Sequence, residues 1–351
     1  MLAPVTHVLA LTTVLRERLL PVPGTVSVHV NQRVSATDVV AEAHWAREHN
    51  LLDVARKLGV SAAAADRLIR CKVGDDLAAN SLVASGRGFF PREVRAPRQG
   101  RVVAAGGGQV LIEVGEVNVQ LRAGLPGLVT QVIPDHGVII QVSGALIQGV
   151  WGNGRIEMGL MINLMDKPDA MLDAGRLDVS LRGSVILGGF CSDAKTLEAA
   201  AELPVRGLIL SSLNPALIPV AMQMRFPIVV IEGFSGLPMN TAAYRLLSTN
   251  AKREATVNAE AFDRYSGARP EVIIPLPFTQ EPAMPEDVTE FAAGQQVRLR
   301  AAPHRGAIAS LVTVRSGLST LPNGVRAPCA DVRLEGGEVV LIPLANMEVV
   351  G

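Results

Sequence analysis

VRAPRQGRVVAAGGGQVLIEVGEVNVQLRAGLPGLVTQVIPDHGVIIQVSGALIQGVWGNG, residues 94–154, places apolar side chains at alternate positions, with glycines between them and no helical period. That is the pattern of short strands joined by tight turns. Gly100, Val102, Gly108, Val110, Ile112 and Val114 are echoed by Gly127, Val129, Gly137, Val138, Ile139 and Val142. Each copy reads as strand, turn, strand, with turns at residues 106–108 and 134–137. Two copies are too few for a solenoid and predict duplicated hairpins closing a small barrel. The triglycine turn opens no helix, so it lacks the geometry of a phosphate loop. The stretch ends on QGVWGNG (148–154), which sets Trp151 among glycines. Trp151 is expected to plug the barrel mouth; an exposed recognition residue is the alternative.

Upstream, residues 5–43 read as further strands, broken by Pro21, Pro23 and Gly24. The period then changes. Leu51, Leu52, Val54, Ala55 and Leu58 fit one helical face, Gly59 closes that helix, and Ser61 caps another. A helical hairpin over residues 44–70 is predicted. Its segment DVARKLGVSAAAADRLIR resembles a helix-turn-helix, which would lay residues 61–70 in a major groove. Four alanines and Asp66 offer almost no base-reading groups, leaving Arg67 and Arg70 for phosphate. A packed helical insertion is the favoured reading.

Residues 72–85, KVGDDLAANSLVAS, and the following VRAPRQGRVV resemble the paired hairpins of lipoyl- and biotinyl-like barrel-sandwich domains. The resemblance covers about residues 20–43 and 72–160 and implies that fold over a first domain, residues 1–165. No lysine stands in the hairpin turn that such domains modify, since Lys57 and Lys72 lie elsewhere. Biotin and lipoate are therefore not carried over. The resemblance then implies a structural or docking module.

Downstream, the methionine-rich residues 155–182 read as a linker. From residue 183 to 280 strands alternate with helices, which predicts a small α/β domain with a parallel sheet. Ligands in such sheets bind beyond the carboxyl ends of the strands. Those ends carry Ser211, Ser212, Glu232, Gly233 and Ser235, and Asn214 starts the helix that follows. The serines and the amides after Asn214 could hold an anion, and Glu232 is the one carboxylate placed for chemistry. An ordinary strand-to-helix turn also accounts for Ser-Ser-Leu-Asn-Pro. No catalytic signature accompanies it.

Residues 291–351 carry Gly294, alternating Val297 and Leu299, Pro303, Gly306 and Leu311, then two later strands. They resemble a KOW motif on an SH3-like barrel, with Ala309 where a second glycine is usual. KOW domains occur in ribosomal proteins and transcription elongation factors. The resemblance implies contact with RNA, a ribonucleoprotein or RNA polymerase, through Arg298, Arg300, His304, Arg305 and Arg315.

Composition bounds these readings. The 351 residues suffice for two or three domains. Hydrophobic residues make up 48% but aromatics only 3%, so the cores must be aliphatic and stacking platforms for single-stranded nucleic acid are scarce. The 33 basic and 33 acidic residues cancel, so the chain lacks a general basic coat for nucleic acid. Cys71, Cys191 and Cys329 have neither disulfide nor metal spacing, and the histidines form no zinc pair. The N-terminal run lacks a signal-peptide pattern, and no apolar run is long enough to span a membrane. The expectation is a cytoplasmic, non-catalytic, multidomain α+β protein without cofactor or metal. It would serve as an adaptor or assembly factor on a larger protein or ribonucleoprotein complex. The alternatives are RNA or DNA binding through the KOW arginines, and a small-ligand or enzymatic site near Glu232.

Overall fold

Residues 2–86, 91–234, 236–263, 267–286 and 288–351 are described in the computed structural model. The chain is mostly β, with a twelve-stranded, a seven-stranded and a five-stranded sheet and a two-stranded ribbon. Its α-helices are few and short: α1 (Val54–Leu58), α2 (Ala62–Asp66), α3 (Ala194–Glu202), α4 (Ile218–Gln223) and α5 (Thr241–Thr249). The cores are lined by Val, Ile, Leu and Ala, as the scarcity of aromatics requires.

Both predicted hairpins form. Gly100–Gly106 pairs with Gln109–Arg122, and Gly127–Ile133 with Gly137–Gln148. They do not close one barrel. The first lies in the five-stranded sheet and the second in the twelve-stranded sheet. The reason is non-local pairing. Gly137–Gln148 takes partners from two distant segments, Val8–Leu19 and Glu271–Pro275, which a local echo cannot reveal.

The helical hairpin expected over residues 44–70 is corrected in its first half. Val39–Asp53 is one strand, paired antiparallel with Gln109–Arg122 along its length. Leu51 is 59% exposed while its neighbours Leu52 and Val54 are buried, which is the two-residue alternation of a strand. A continuous cross-strand partner here overrides a spacing that also fits a helix.

Only α1 and α2 are helical, at five residues each. Asp53 caps α1 by accepting from the Arg56 N–H, and Gly59 ends it in the left-handed region. The pair sits on the triglycine turn. Ala55 N–H donates to the Gly108 carbonyl at 2.9 Å, and Gly108 N–H donates to Asp66 Oδ1 at 2.7 Å. The run of alanines keeps this contact close: a Cβ on Gly108 would lie 2.8 Å from Ala55 Cβ and 2.9 Å from Ala62 Cα.

The twelve-stranded sheet joins two regions that the sequence separates. Ile156–Asn163, Val185–Cys191, Gly207–Leu213 and Ile228–Gly233 run parallel as neighbours. Ile156–Asn163 also pairs antiparallel with Glu254–Asn258, which leads through Glu271–Pro275 to Gly137–Gln148. Residues 156–163 are therefore a central strand, where a linker was expected. Helices α3 and α4 pack on one face of the parallel part and α5 on the other. Trp151–Gly152 pairs at its edge with Ile228–Gly233. The Trp151 ring meets Phe234 edge-on at 5.9 Å, so it belongs to the α/β layer and plugs no barrel.

The seven-stranded sheet carries the C-terminal residues together with the first strand of the chain. Leu2–Thr6 runs parallel to Met347–Val350 and antiparallel to Val288–Glu290. One strand of the unit expected at 1–165 thus lies in the sheet of the unit expected at 291–351. Among the described residues, no helix is long and apolar enough to cross a membrane.

Candidate functional site at the strand ends

Three parallel strands bring the predicted residues to one end of the sheet. Ser212 stands opposite Phe190 on one side and Gly233 on the other. Ser211 is fully buried, and its Oγ has no hydrogen-bond partner among the described residues. Ser212 Oγ donates to the Leu237 carbonyl at 3.1 Å. That bond folds the segment after Gly233 back over the strand ends. Ser235 lies outside the described residues.

Asn214 does not open a long helix. It starts a 3-10 turn, Pro215–Leu217, followed by the six residues of α4. Its Oδ1 accepts from Ala216 N–H at 3.1 Å and its Nδ2 donates to the Ser192 carbonyl at 3.1 Å. The expected anion cradle is occupied by the protein's own cap. Nearby, Cys191 is buried, and burial followed by the charge of Asp193 pushes its thiol up to about 12. A thiol held neutral in this way is no nucleophile at neutral pH.

Glu232 has a full set of partners. Its Oε1 accepts from Asn240 N–H at 2.9 Å and from Asn240 Nδ2 at 2.6 Å. Asn240 Oδ1 in turn accepts from Ala243 N–H, capping α5. The other oxygen, Oε2, accepts from Arg298 Nη1 at 2.8 Å. Arg298 Nε also donates to Glu348 Oε1 at 2.5 Å. All three charged side chains are under 10% exposed. Burial works against the arginine's charge, but Glu232 and Glu348 outweigh it and raise its pKa.

The strand ends therefore meet the C-terminal sheet. Two residues assigned from sequence to separate sites, Glu232 and Arg298, are one buried cluster. Glu348 and Asn240 complete it. Asn240, just ahead of the helical TAAYRLLST, could have been read as a cap. Glu348, a lone carboxylate in the apolar run MEVV, was the signal for a buried counter-ion.

The remaining C-terminal residues stay on the surface. Arg300 is 60% exposed, with Glu348 at 3.6 Å. Arg305 is exposed and His304 half-buried. Arg315 forks onto Asp331 through Nε at 2.9 Å and Nη2 at 2.8 Å. No group of His, Cys, Asp and Glu able to hold a metal occurs among the described residues.

The geometry defines a β-rich chain whose parallel-strand ends are covered by its own C-terminal sheet. Compared with known proteins, the chain matches no family model, and no curated protein is similar to it in sequence.

Proposed function

We propose that this protein is a non-catalytic adaptor or assembly factor that docks on a larger protein or ribonucleoprotein complex. Its C-terminal residues 291–351 act as a KOW-type, SH3-like barrel, and the lipoyl/biotinyl-like, unmodified region serves as scaffold. The observation that carries this reading is the hairpin of Ile308–Thr320 and Arg326–Leu334. Beyond Cys329, which still pairs with Pro343, its strands have only each other as partners among the described residues. Val312, Val314, Leu318 and Val325 are exposed along it. Exposed aliphatic residues gathered on one projecting ribbon suit a protein surface better than bulk water. The engaged state of Glu232 supports a non-catalytic reading over a reaction at the strand ends.

The test shortens the hairpin by removing residues 316–327 with a tight turn in their place. Crosslinked partners captured from the native cells are then compared. A partner held by the wild type and lost by the shortened, still folded protein is the expected result. Equal capture by both proteins overturns the reading.

A second reading, contact with RNA or DNA phosphate, is favoured by the exposure of Arg300 and Arg305 on one segment. Replacing both with alanine should then weaken nucleic-acid retention and flatten its salt dependence. Retention unchanged in the double variant removes this reading.

A further inference from the structure

The QGVWGNG segment has a role beyond its strand. Gly152 lies so close to the next strand end that a Cβ there would sit 2.3 Å from the Ala259 carbonyl oxygen. Gly154 N–H donates to that same carbonyl at 2.6 Å, and Ala259 N–H donates to the Arg155 carbonyl at 2.8 Å. Between the glycines, Asn153 is buried and bonded at three points. Its Nδ2 donates to the Ala221 and Phe226 carbonyls at 3.1 and 2.9 Å, and its Oδ1 accepts from Ile228 N–H at 3.0 Å. These bonds clamp both ends of the segment that carries Arg225. The turn that presents Arg155 and the loop that presents Arg225 are thus fixed to each other by one side chain.

Both arginines line a cleft of about 470 Å³, with Arg18, Arg122, Glu157 and Glu260 among its other residues. Arg18 pairs with Glu260 at 2.6 Å, so those two charges cancel. Arg122, Arg155 and Arg225 are exposed and have neither ion pair nor side-chain hydrogen bond among the described residues. Among the described lining residues only Glu157 stands against them. The cleft keeps an excess of two positive charges in a chain whose overall charge is zero. A guanidinium fork matches the oxygens of phosphate better than any other common anion-binding side chain, and uncommitted arginines on a rigid frame lose little freedom on binding.

We propose that this cleft binds the phosphate groups of a small ligand, a phosphate ester or phosphoanhydride carrying about two negative charges. Arg122, Arg155 and Arg225 are its anchors, and Asn153 is the positioning residue that holds two of them in place. The site lies at the opposite ends of the parallel strands from Glu232, because Arg155 precedes Ile156–Asn163 and Arg225 precedes Ile228–Gly233. It is independent of the adaptor reading.

The test is calorimetric titration of the full-length protein with inorganic phosphate and with pyrophosphate at low salt. Calorimetry is preferred to thermal shift because phosphate stabilises folded proteins without binding them. Saturable binding of pyrophosphate by the wild type is expected, weakened by roughly tenfold or more in Arg155→Ala/Arg225→Ala. Both side chains are exposed, so unfolding curves should be unchanged in that variant. Arg305→Ala, a distant exposed arginine, should leave the affinity as it was. Absence of saturable pyrophosphate binding overturns the proposal, and so does an equal loss in Arg305→Ala. Binding of a short RNA without binding of phosphate or pyrophosphate also overturns it, because the anion would then be a polymer backbone.

Discussion

Arg298 Nη1 lies 2.8 Å from Glu232 Oε2, across 66 residues of chain and two sheets. The bond joins a strand end of the α/β layer to the C-terminal sheet, and both side chains are almost wholly buried. Charges so placed survive only when their remaining atoms are satisfied. Asn240 supplies that on one side and Glu348 on the other. The cluster makes the seam between the sheets specific in register, since any slip would strand a charge.

Loss of Arg298 should therefore be more damaging than loss of Glu232. Arg298→Met leaves buried Glu232 without a cation and Glu348 with only the exposed Arg300 at 3.6 Å, and should cost about 3–5 kcal/mol. Glu232→Gln retains an acceptor for Asn240 and leaves Arg298 its second acid, so about 1–2 kcal/mol is expected. Denaturant unfolding of the two variants measures the order. Equal costs would mean that Glu348 alone does not hold the arginine in place.

Cys191 ties stability to alkaline pH. Its thiol is pushed up to about 12 in the folded chain, from an ordinary value of 9.0. Below pH 9 both folded and unfolded forms keep the proton. Between about 9 and 12 the unfolded form loses it first, so stability falls as pH rises, by up to about 1.4 kcal/mol per pH unit. Cys191→Ser should flatten that slope in chemical unfolding followed from pH 8 to 11. In the same way the thiol should resist alkylating reagents at pH 8 until the protein is unfolded.

The strand content, both hairpins of residues 94–154 and the parallel α/β layer were legible in the sequence, because each rests on local alternation or on strand–helix spacing. What local pattern could not show was which strands pair. The segment HWAREHNLL fits a helix until the distant Gln109–Arg122 claims it. Leu2–Thr6 falls within the N-terminal domain expected over residues 1–165, yet its parallel neighbour is Met347–Val350. The candidate site shows the same division. Glu232 was visible as the carboxylate at a strand end and Arg298 as a contact arginine of the KOW-like stretch, but their meeting is a tertiary fact.

Asn153 offers a test of the clamp itself. Asn153→Ala removes bonds to Ala221, Phe226 and Ile228 in a buried position. The Ala221 carbonyl keeps the Met224 N–H, so the main loss falls on the Phe226 carbonyl and the Ile228 N–H. A cost of about 2–4 kcal/mol in denaturant unfolding is expected. Faster hydrogen exchange should be confined to the loop between α4 and Ile228–Gly233. A small cost with unaltered exchange would mean that the sheet alone holds that loop.

The triglycine turn separates two causes of glycine dependence. Gly107 and Gly108 both have positive φ, 64° and 78°. An alanine at Gly107 meets nothing within 4 Å, so it should cost only the left-handed conformation, about 1 kcal/mol. At Gly108 the same methyl group would lie 2.9 Å from Ala62 Cα, which is backbone and cannot rotate away. It would also disturb the Asp66 and Ala55 bonds that seat α2 and α1. Gly108→Ala should thus exceed Gly107→Ala by about 1–3 kcal/mol in thermal or denaturant unfolding. Ala62→Gly removes only the side chain, not the clashing Cα, so it should relieve little of that excess. Substantial rescue by Ala62→Gly would instead place the strain in the side-chain contact.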